Sequence, residues 1–303
     1  MKKVAVLAFL SFVLIVSFPG QATKVDQKDI EATDIVVGQV EDASSYYDLN
    51  EWGDEIIFTR VEVRVDKNVK GRAQHRVSFS VEGGQLGDLA LNVSESPVFT
   101  RGESVKLYLK KEQDKYSYVD HQVLGKPARP PAGDCCATFA HWTTKSALYY
   151  INPDNNDMPS GCAISDIGAG AASWGSAFNL EFKGQTTASR VTQNYVNEIF
   201  FRKGKSGRTI AVTYTWYYTS TGQIIEFDMA FYDGAWTFVP FTCSQTACNG
   251  GFFLRTIAAH ELGHGIGLDH NNCTSSIMYP YADYCETNLP DANDIACAKT
   301  IYP

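Results

Sequence analysis

The chain lacks three features that would each have narrowed its class. It has no cysteine before Cys135, it has no C-x-x-C pair, and beyond its amino terminus it has no apolar run long enough to cross a bilayer. A span needs about 20 apolar residues, so stable membrane insertion is not expected. The absence of C-x-x-C argues against a structural zinc cluster. Positive charge is also short. With 26 Lys and Arg against 34 Asp and Glu, the net charge is −8 and no basic cluster stands out. An acidic chain without a basic face has no electrostatic footprint for the phosphate backbone, so nucleic acid is excluded as a partner.

The amino terminus carries Lys2 and Lys3, then an apolar run from Val4 to Phe18 and the small residues Gly20-Gln21-Ala22. This is the pattern of a secretory leader over residues 1–22; its loss removes two lysines and takes the charge to −10. Secretion in turn gives the eight cysteines a meaning, because an even number in an oxidising compartment reads as disulfides. Sequence spacing favours Cys243 with Cys248 and Cys273 with Cys285 as local bridges.

The 303 residues are enough for about two domains. Residues 23–125 read as a small all-β barrel or sandwich: Val61, Val63 and Val65, then Val77, Phe79 and Val81, then Val105, Leu107 and Leu109 alternate, with glycines and Pro97 between them. His75 and His121 in this region read as ordinary histidines. Residues 126–134, Lys-Pro-Ala-Arg-Pro-Pro-Ala-Gly-Asp, read as a semi-rigid linker. Residues 135–303 read as α+β. A strand near Ala147 to Ile151 is followed by a helix capped by Ser165 and Asp166, its Trp174 and Phe178 side facing a sheet. Strands follow around Ile199, Ile210 to Trp216 and Gln223 to Tyr232, and then a helix starts between Gly251 and Arg255. Trp236 to Phe241 is read as an edge strand near the cleft. A last helix begins at Asp291, Asn293 and Asp294, where acids and caps belong. The loop from Asn152 to Asp157 is rich in the oxygen ligands calcium prefers, and the same composition makes ordinary turns; both readings are carried.

The chemistry concentrates in His260-Glu-Leu-Gly-His264-Gly-Ile-Gly267-Leu-Asp-His270. On a helix, His260 and His264 are four residues apart and share a face. Gly267 allows a sharp turn that returns His270 as a third nitrogen. Three imidazoles leave one zinc position open, as catalytic zinc requires, whereas structural zinc is usually closed by four ligands. Eight residues beyond His270 stands Met278 in Ser-Ile-Met-Tyr-Pro.

The long histidine motif with this methionine resembles the metzincin metalloproteases, and Met-Tyr-Pro resembles their matrixin branch. Thr221 to Met229 is similar to the strand preceding the zinc helix there, and residues 23–125 resemble, more weakly, a small β-domain that precedes some bacterial catalytic domains of this type. The resemblance implies a twisted mixed sheet with an active-site helix and a carboxy-terminal helix. It further implies one catalytic Zn2+ held by His260, His264 and His270, Glu261 as general base, Met278 as an apolar floor, and Tyr279, Pro280 and Tyr281 beside a substrate pocket. A second tyrosine usual after the Met-Tyr-Pro is replaced by Ala282. Cys135 or Cys136 would be a latency thiol only outside a disulfide, and the Pro-Arg-Cys-Gly segment of the family is absent.

These readings combine into a secreted, monomeric zinc endopeptidase acting on protein or peptide substrates. Two alternatives stand beside it: an extracellular binding protein whose zinc serves folding, and a chain in which residues 23–130 form an inhibitory pro-region.

Overall fold

The computed structural model describes residues 27–125, 135–204, 207–243 and 248–303. The leader at 1–22 and the linker at 126–134 lie outside the described residues.

After a short helix α1 (Gln27–Glu31), the chain enters two long strands, β1 (Asp34–Leu49) and β2 (Glu55–Lys70), joined by a tight turn. The Asn50 side-chain oxygen closes that turn by accepting from the backbone of Trp52 and Asp54 at 2.9 and 3.0 Å. Then come β3 (Arg76–Glu82), the short β4 (Gly84–Leu86) and β5 (Leu89–Val93), followed by β6 (Ser104–Glu112) and β7 (Lys115–Val123). Five of these form an antiparallel sheet in the order β3-β2-β1-β6-β7. Alternation decides its inner face: Val61, Val63, Val77, Phe79, Val81, Val105, Leu107 and Leu109 fill one cluster. The sheet curls until its outer strands approach, with the Phe79 ring 6.0 Å from that of Tyr118. Strands β4 and β5 leave this sheet altogether.

They join a second, seven-stranded sheet whose other strands come from the carboxy-terminal half. These are β8 (Ser146–Ile151), β9 (Asn179–Gln185), β10 (Glu198–Phe201), β11 (Ala211–Tyr218) and β12 (Gln223–Phe231), and the order is β4-β5-β11-β12-β10-β8-β9. Strands β8, β9, β10 and β12 run parallel to their neighbours in that group, whereas β11 is antiparallel to both β12 and β5. The sheet's central strands β10, β11 and β12 are buried on both faces. Phe227, Met229 and Phe231 point into a cluster shared with the helices, while Val212, Tyr214, Trp216 and Ala230 meet Ile56 and Ile57 of β2 and Leu91 and Val93 of β5. The tip of the β1–β2 hairpin is therefore a layer of the carboxy-terminal core. At its centre Asp54, 1% exposed, pairs with Arg202, 4% exposed.

Helix α2 (Ser160–Ala172) is entered from Pro159 at its N-cap, so it starts five residues before the expected Ser165. Proline presets the φ of a helix start and has no N–H to leave unpaired. Asp166 is consequently inside the helix, where its carboxylate accepts from the backbone of Phe241 and Thr242 at 2.6 and 2.8 Å. Trp174 and Phe178 share one buried cluster with Phe227, Met229 and Phe231 of the sheet, and the Trp174 indole also donates to Ala259 O of the neighbouring helix at 2.9 Å. Residues 236–241 contribute β13 (Phe238–Val239), which pairs only with β14 (Phe252–Phe253); the strand beside the cleft is β11. Helices α3 (Leu254–Gly265) and α4 (Ala292–Ile301) complete the fold. Asp291 caps α4 in a reciprocal capping box with Asp294.

The disulfides are Cys135–Cys273, Cys136–Cys297, Cys162–Cys243 and Cys248–Cys285. This corrects the two local bridges expected from spacing. Short loops close at little entropic cost, but the fold sets Cys243 near α2 through the Asp166 contacts, and holds Cys285 beside Cys248 by a backbone bond from Cys285 N to Gly251 O of 2.9 Å. Because Cys135 and Cys136 are both bridged, neither is a latency thiol. In the Asn152–Asp157 loop two side chains cap their own turns, Asn152 Oδ1 accepting from Asp154 N and Asn155 Oδ1 from Asp157 N and Met158 N, while Asp157 Oδ2 accepts from Phe238 N of a distant segment.

Candidate metal centre

Helix α3 is held from both sides. Trp174 and Met278 pack against Gly263, where an added Cβ would stand 2.3 Å from the Met278 sulfur. The carbonyls at its carboxy end, which a helix leaves without internal partners, accept from Trp142 Nε1 to Gly265 O at 3.0 Å and from Tyr302 OH to Ile266 O at 2.7 Å. Gly267 then turns the chain at φ +96°. A Cβ there would stand 2.1 Å from Ala140 O, so both the conformation and the space require glycine. Gly267→Ala should destabilise the fold by about 2–4 kcal/mol, from left-handed strain plus overpacking, and should weaken metal retention by displacing His270. Thermal unfolding and a chelator titration read the two effects.

The turn brings three imidazoles together. His260 Nε2 lies 3.1 Å from His264 Nε2 and 3.2 Å from His270 Nε2, and His264 and His270 are 3.2 Å apart at the same atoms. The outer ring nitrogens decide the tautomers. His260 Nδ1 donates to Ile277 O at 2.6 Å and His264 Nδ1 to Leu268 O at 2.9 Å. Their Nε2 atoms therefore carry lone pairs, not protons. Burial lowers the affinity of all three rings for a proton, taking His270 down to about 3. Lone pairs converging on one point without a proton repel, and a cation between them removes the repulsion. Zinc–nitrogen bonds of about 2.0–2.1 Å at tetrahedral angles separate the nitrogens by roughly 3.3 Å, so the donor set fits zinc.

The positioning continues outward. Asp294 of α4 accepts from Ile277 N at 3.0 Å, and Ile277 O in turn orients His260. Asn271, without an assignable role from sequence, ties the following loop: its amide donates to Cys135 O at 3.1 Å and Ser276 Oγ at 2.8 Å, and its N–H to Met278 O at 3.0 Å. Such outer partners fix ring orientation around a metal.

Glu261 is 3% exposed. Thr213 Oγ1 of β11 donates to its Oε2 at 2.7 Å, and Ser94 Oγ does so at 3.3 Å. Burial pushes its carboxyl up to about 8, the nearby Glu95 adds to the rise, and the two hydroxyls oppose it. Glu95 Oε1 lies 3.5 Å from His270 Nε2, and its carboxylate, His260 and Glu261 place donor atoms within 4.8 Å of one another. Neither Ser94 nor Glu95 has a motif that would have singled it out; both reach the site only because β5 joins β11. A cleft opens beside the histidines, lined by Tyr279, Pro280, Tyr281 and Ala282 with Glu95, His260 and Glu261.

Karilysin of Tannerella forsythia is 55% identical over 52 residues, 17% of this chain and 11% of karilysin. Macrophage metalloelastase of Oryctolagus cuniculus is 41% identical over 54 residues, 17% and 12% of the two chains. The hatching enzyme of Paracentrotus lividus is 39% identical over 66 residues, 20% and 11%. The matched segments span about a tenth of the length of these relatives. The Matrixin profile of the peptidase M10 group matches residues 141–303, more than half of the chain and all of the strands, helices and histidines described around the site except β4 and β5; the chain belongs to the matrixin family.

Proposed function

We propose that the protein is a secreted zinc-dependent endopeptidase that hydrolyses peptide bonds in extended protein substrates. The observation that carries this reading is the triangle of three Nε2 atoms, 3.1 to 3.2 Å apart, with Glu261 beside it. His260, His264 and His270 would hold the ion, and residues 135–303 would form the catalytic unit. Zinc bound there supplies Lewis acidity, polarising a carbonyl oxygen and lowering the pKa of a water molecule in its coordination sphere to about 7.

The remaining steps belong to the chain's own side chains. Glu261 takes a proton from the attacking water and delivers it to the leaving amine nitrogen. Thr213 holds one carboxylate oxygen of Glu261 and leaves the other for that transfer. On the side of the sheet nearest the histidines, β11 is the outermost strand that residues 135–303 contribute, and an extended peptide laid along it would gain main-chain hydrogen bonds. Tyr279, Pro280 and Tyr281 would border the pocket for a substrate side chain, and Met278, 1% exposed, packs beneath the zinc helix. Four disulfides within 135–303 support an oxidising, extracellular setting, and no helix among the described residues is long and apolar enough to cross a membrane. A binding protein with zinc kept only for folding would not need a buried carboxylate poised beside the histidines.

Metal analysis of the purified chain should return one zinc, lost to 1,10-phenanthroline and absent in His264→Ala. Cleavage of an unfolded protein, assayed before and after brief trypsin treatment, should disappear with the zinc and return when it is added back. Cleavage that persists without zinc, or a chain that binds none, would overturn the reading.

A further inference from the structure

Strand β11 presents its two faces to two different cores. Val212, Tyr214 and Trp216 belong to the cluster shared with β2 and β5, so the residues between them, Ala211, Thr213 and Thr215, face the other way. Ala211 lies in the cluster that contains α3. Thr213 and Thr215 are both 0% exposed. A strand face packed on a helix is ordinarily apolar, and valine would fill the same space, since it has the shape of threonine without the hydroxyl. Two threonines there need a reason, because a buried hydroxyl loses its water and is tolerated only where a protein partner replaces it.

Both hydroxyls find partners on α3, and both partners belong to the histidine motif. Thr215 Oγ1 donates to His264 O at 3.4 Å, a contact with backbone. Thr213 Oγ1 stands 2.7 Å from Glu261 Oε2 and 3.1 Å from Glu261 O. A hydroxyl has one hydrogen to donate, and a carboxylate oxygen that is nearer and charged makes the stronger bond. The Thr215 bond therefore ties strand to helix, whereas the Thr213 bond reaches a side chain with chemistry to do.

Glu261 needs such a hold. The helix fixes its Cα, but the torsions of a long side chain are settled only by what the carboxylate touches. Ser94 Oγ also donates to Oε2, at the longer distance of 3.3 Å. Thr213 has a second property that Ser94 lacks, since its main chain is part of the β11 edge proposed above as the peptide path. Its N–H and C=O point outward along that edge, where they meet Ser94 Oγ and Ser94 N at 3.0 Å each. One residue thus offers main-chain groups to the edge and a hydroxyl to the proposed base.

We propose that Thr213 is a positioning residue of the site, holding the Glu261 carboxylate in one orientation relative to the strand along which a peptide would be cleaved. The inference rests on the endopeptidase reading above. It gives the buried hydroxyl a role that packing does not, because proton transfer requires the base to stand within hydrogen-bond reach of the proton it takes.

The test compares the full chain as wild type, Thr213→Ser, Thr213→Val and Thr215→Val, with zinc counted in each. Losing a hydrogen bond to a charged group, and the misplacement that follows, should lower kcat of Thr213→Val about 10- to 100-fold with KM and zinc content unchanged, whereas Thr213→Ser should stay within about twofold of wild type. Serine leaves a methyl-sized void that valine does not, so a role in packing alone would rank serine below valine. Thr215→Val, equally buried, should lower kcat less than Thr213→Val. A readout without turnover is the affinity of the Co2+-loaded proteins for acetohydroxamate, which hydrogen-bonds the carboxylate beside the ion: its Kd should rise about tenfold in Thr213→Val and return in Thr213→Ser. Should the valine variant fail to fold, Thr213→Ala against Thr213→Ser isolates the same hydroxyl. A valine variant equal to wild type in kcat and Kd, or a serine variant as impaired as valine, would overturn the proposal while leaving the metal centre intact. A wild type that takes up no metal would overturn the metal centre and this inference with it.

Discussion

Replacing Glu261 with glutamine should lower kcat for peptide hydrolysis by about 10²- to 10⁴-fold, the range a positioned general base contributes, while one zinc remains bound. The separation of the two effects follows from the site. The three imidazoles are oriented by Ile277 O, Leu268 O and the Gly267 turn, none of which involves the Glu261 carboxylate. Glutamine keeps the shape and can still accept from Thr213, so the helix should not shift, but its amide cannot take up a proton from water. The comparison is made on both forms treated identically, and zinc is counted in the same samples. A variant that turns over at the wild-type rate would remove Glu261 from the mechanism. A variant that loses its zinc would make the residue part of the metal site instead.

The largest effect on stability is expected far from the histidines. Asp54→Ala strands the Arg202 guanidinium in the core, and an uncompensated buried charge costs about 3–5 kcal/mol. Asp54 also accepts from Val191 N at 3.1 Å and from Asn50 Nδ2 at 2.9 Å, and Arg202 lies over the Trp52 ring at 5.0 Å, so the loss reaches both halves of the chain. Two of the Arg202 nitrogens already lack a hydrogen-bond partner. The second substitution Arg202→Met should therefore restore much of the stability by removing the stranded charge. Urea unfolding of the single and double variants measures both. Lys203→Ala is the control: its pair with Asp154 is half exposed on the lysine side and 73% exposed on the aspartate, and such surface pairs contribute about 0–1 kcal/mol. Equal losses for Asp54→Ala and Lys203→Ala would contradict the burial argument.

Local patterns made much of this molecule legible. The His260–His264 spacing, the Gly267 turn and the Asp291 cap each depend on residues within a few positions of one another, and period-two alternation marked β2, β3 and β6. Legibility failed where a longer-range partner outweighed the local signal. Ser165 and Asp166 look like a helix cap, but Pro159 starts α2 earlier and Asp166 serves residues 241 and 242 instead. Cys243 and Cys248 are neighbours in sequence, yet each is drawn to a partner positioned by α2 or by the loop after Met278.

By itself, then, the sequence determined the eleven-residue zinc motif, its methionine and the alternation of the strands, because helical and extended periodicities are properties of adjacent residues. Only the tertiary structure decided which cysteines pair, that Asp54 and Arg202 meet across 148 positions, and that Ser94 and Glu95 enter the cleft. Those contacts arise from the addition of β5 to the β11 edge and the packing of the β1–β2 tip on the sheet, and main-chain pairing between distant strands leaves no residue pattern at either end to announce it.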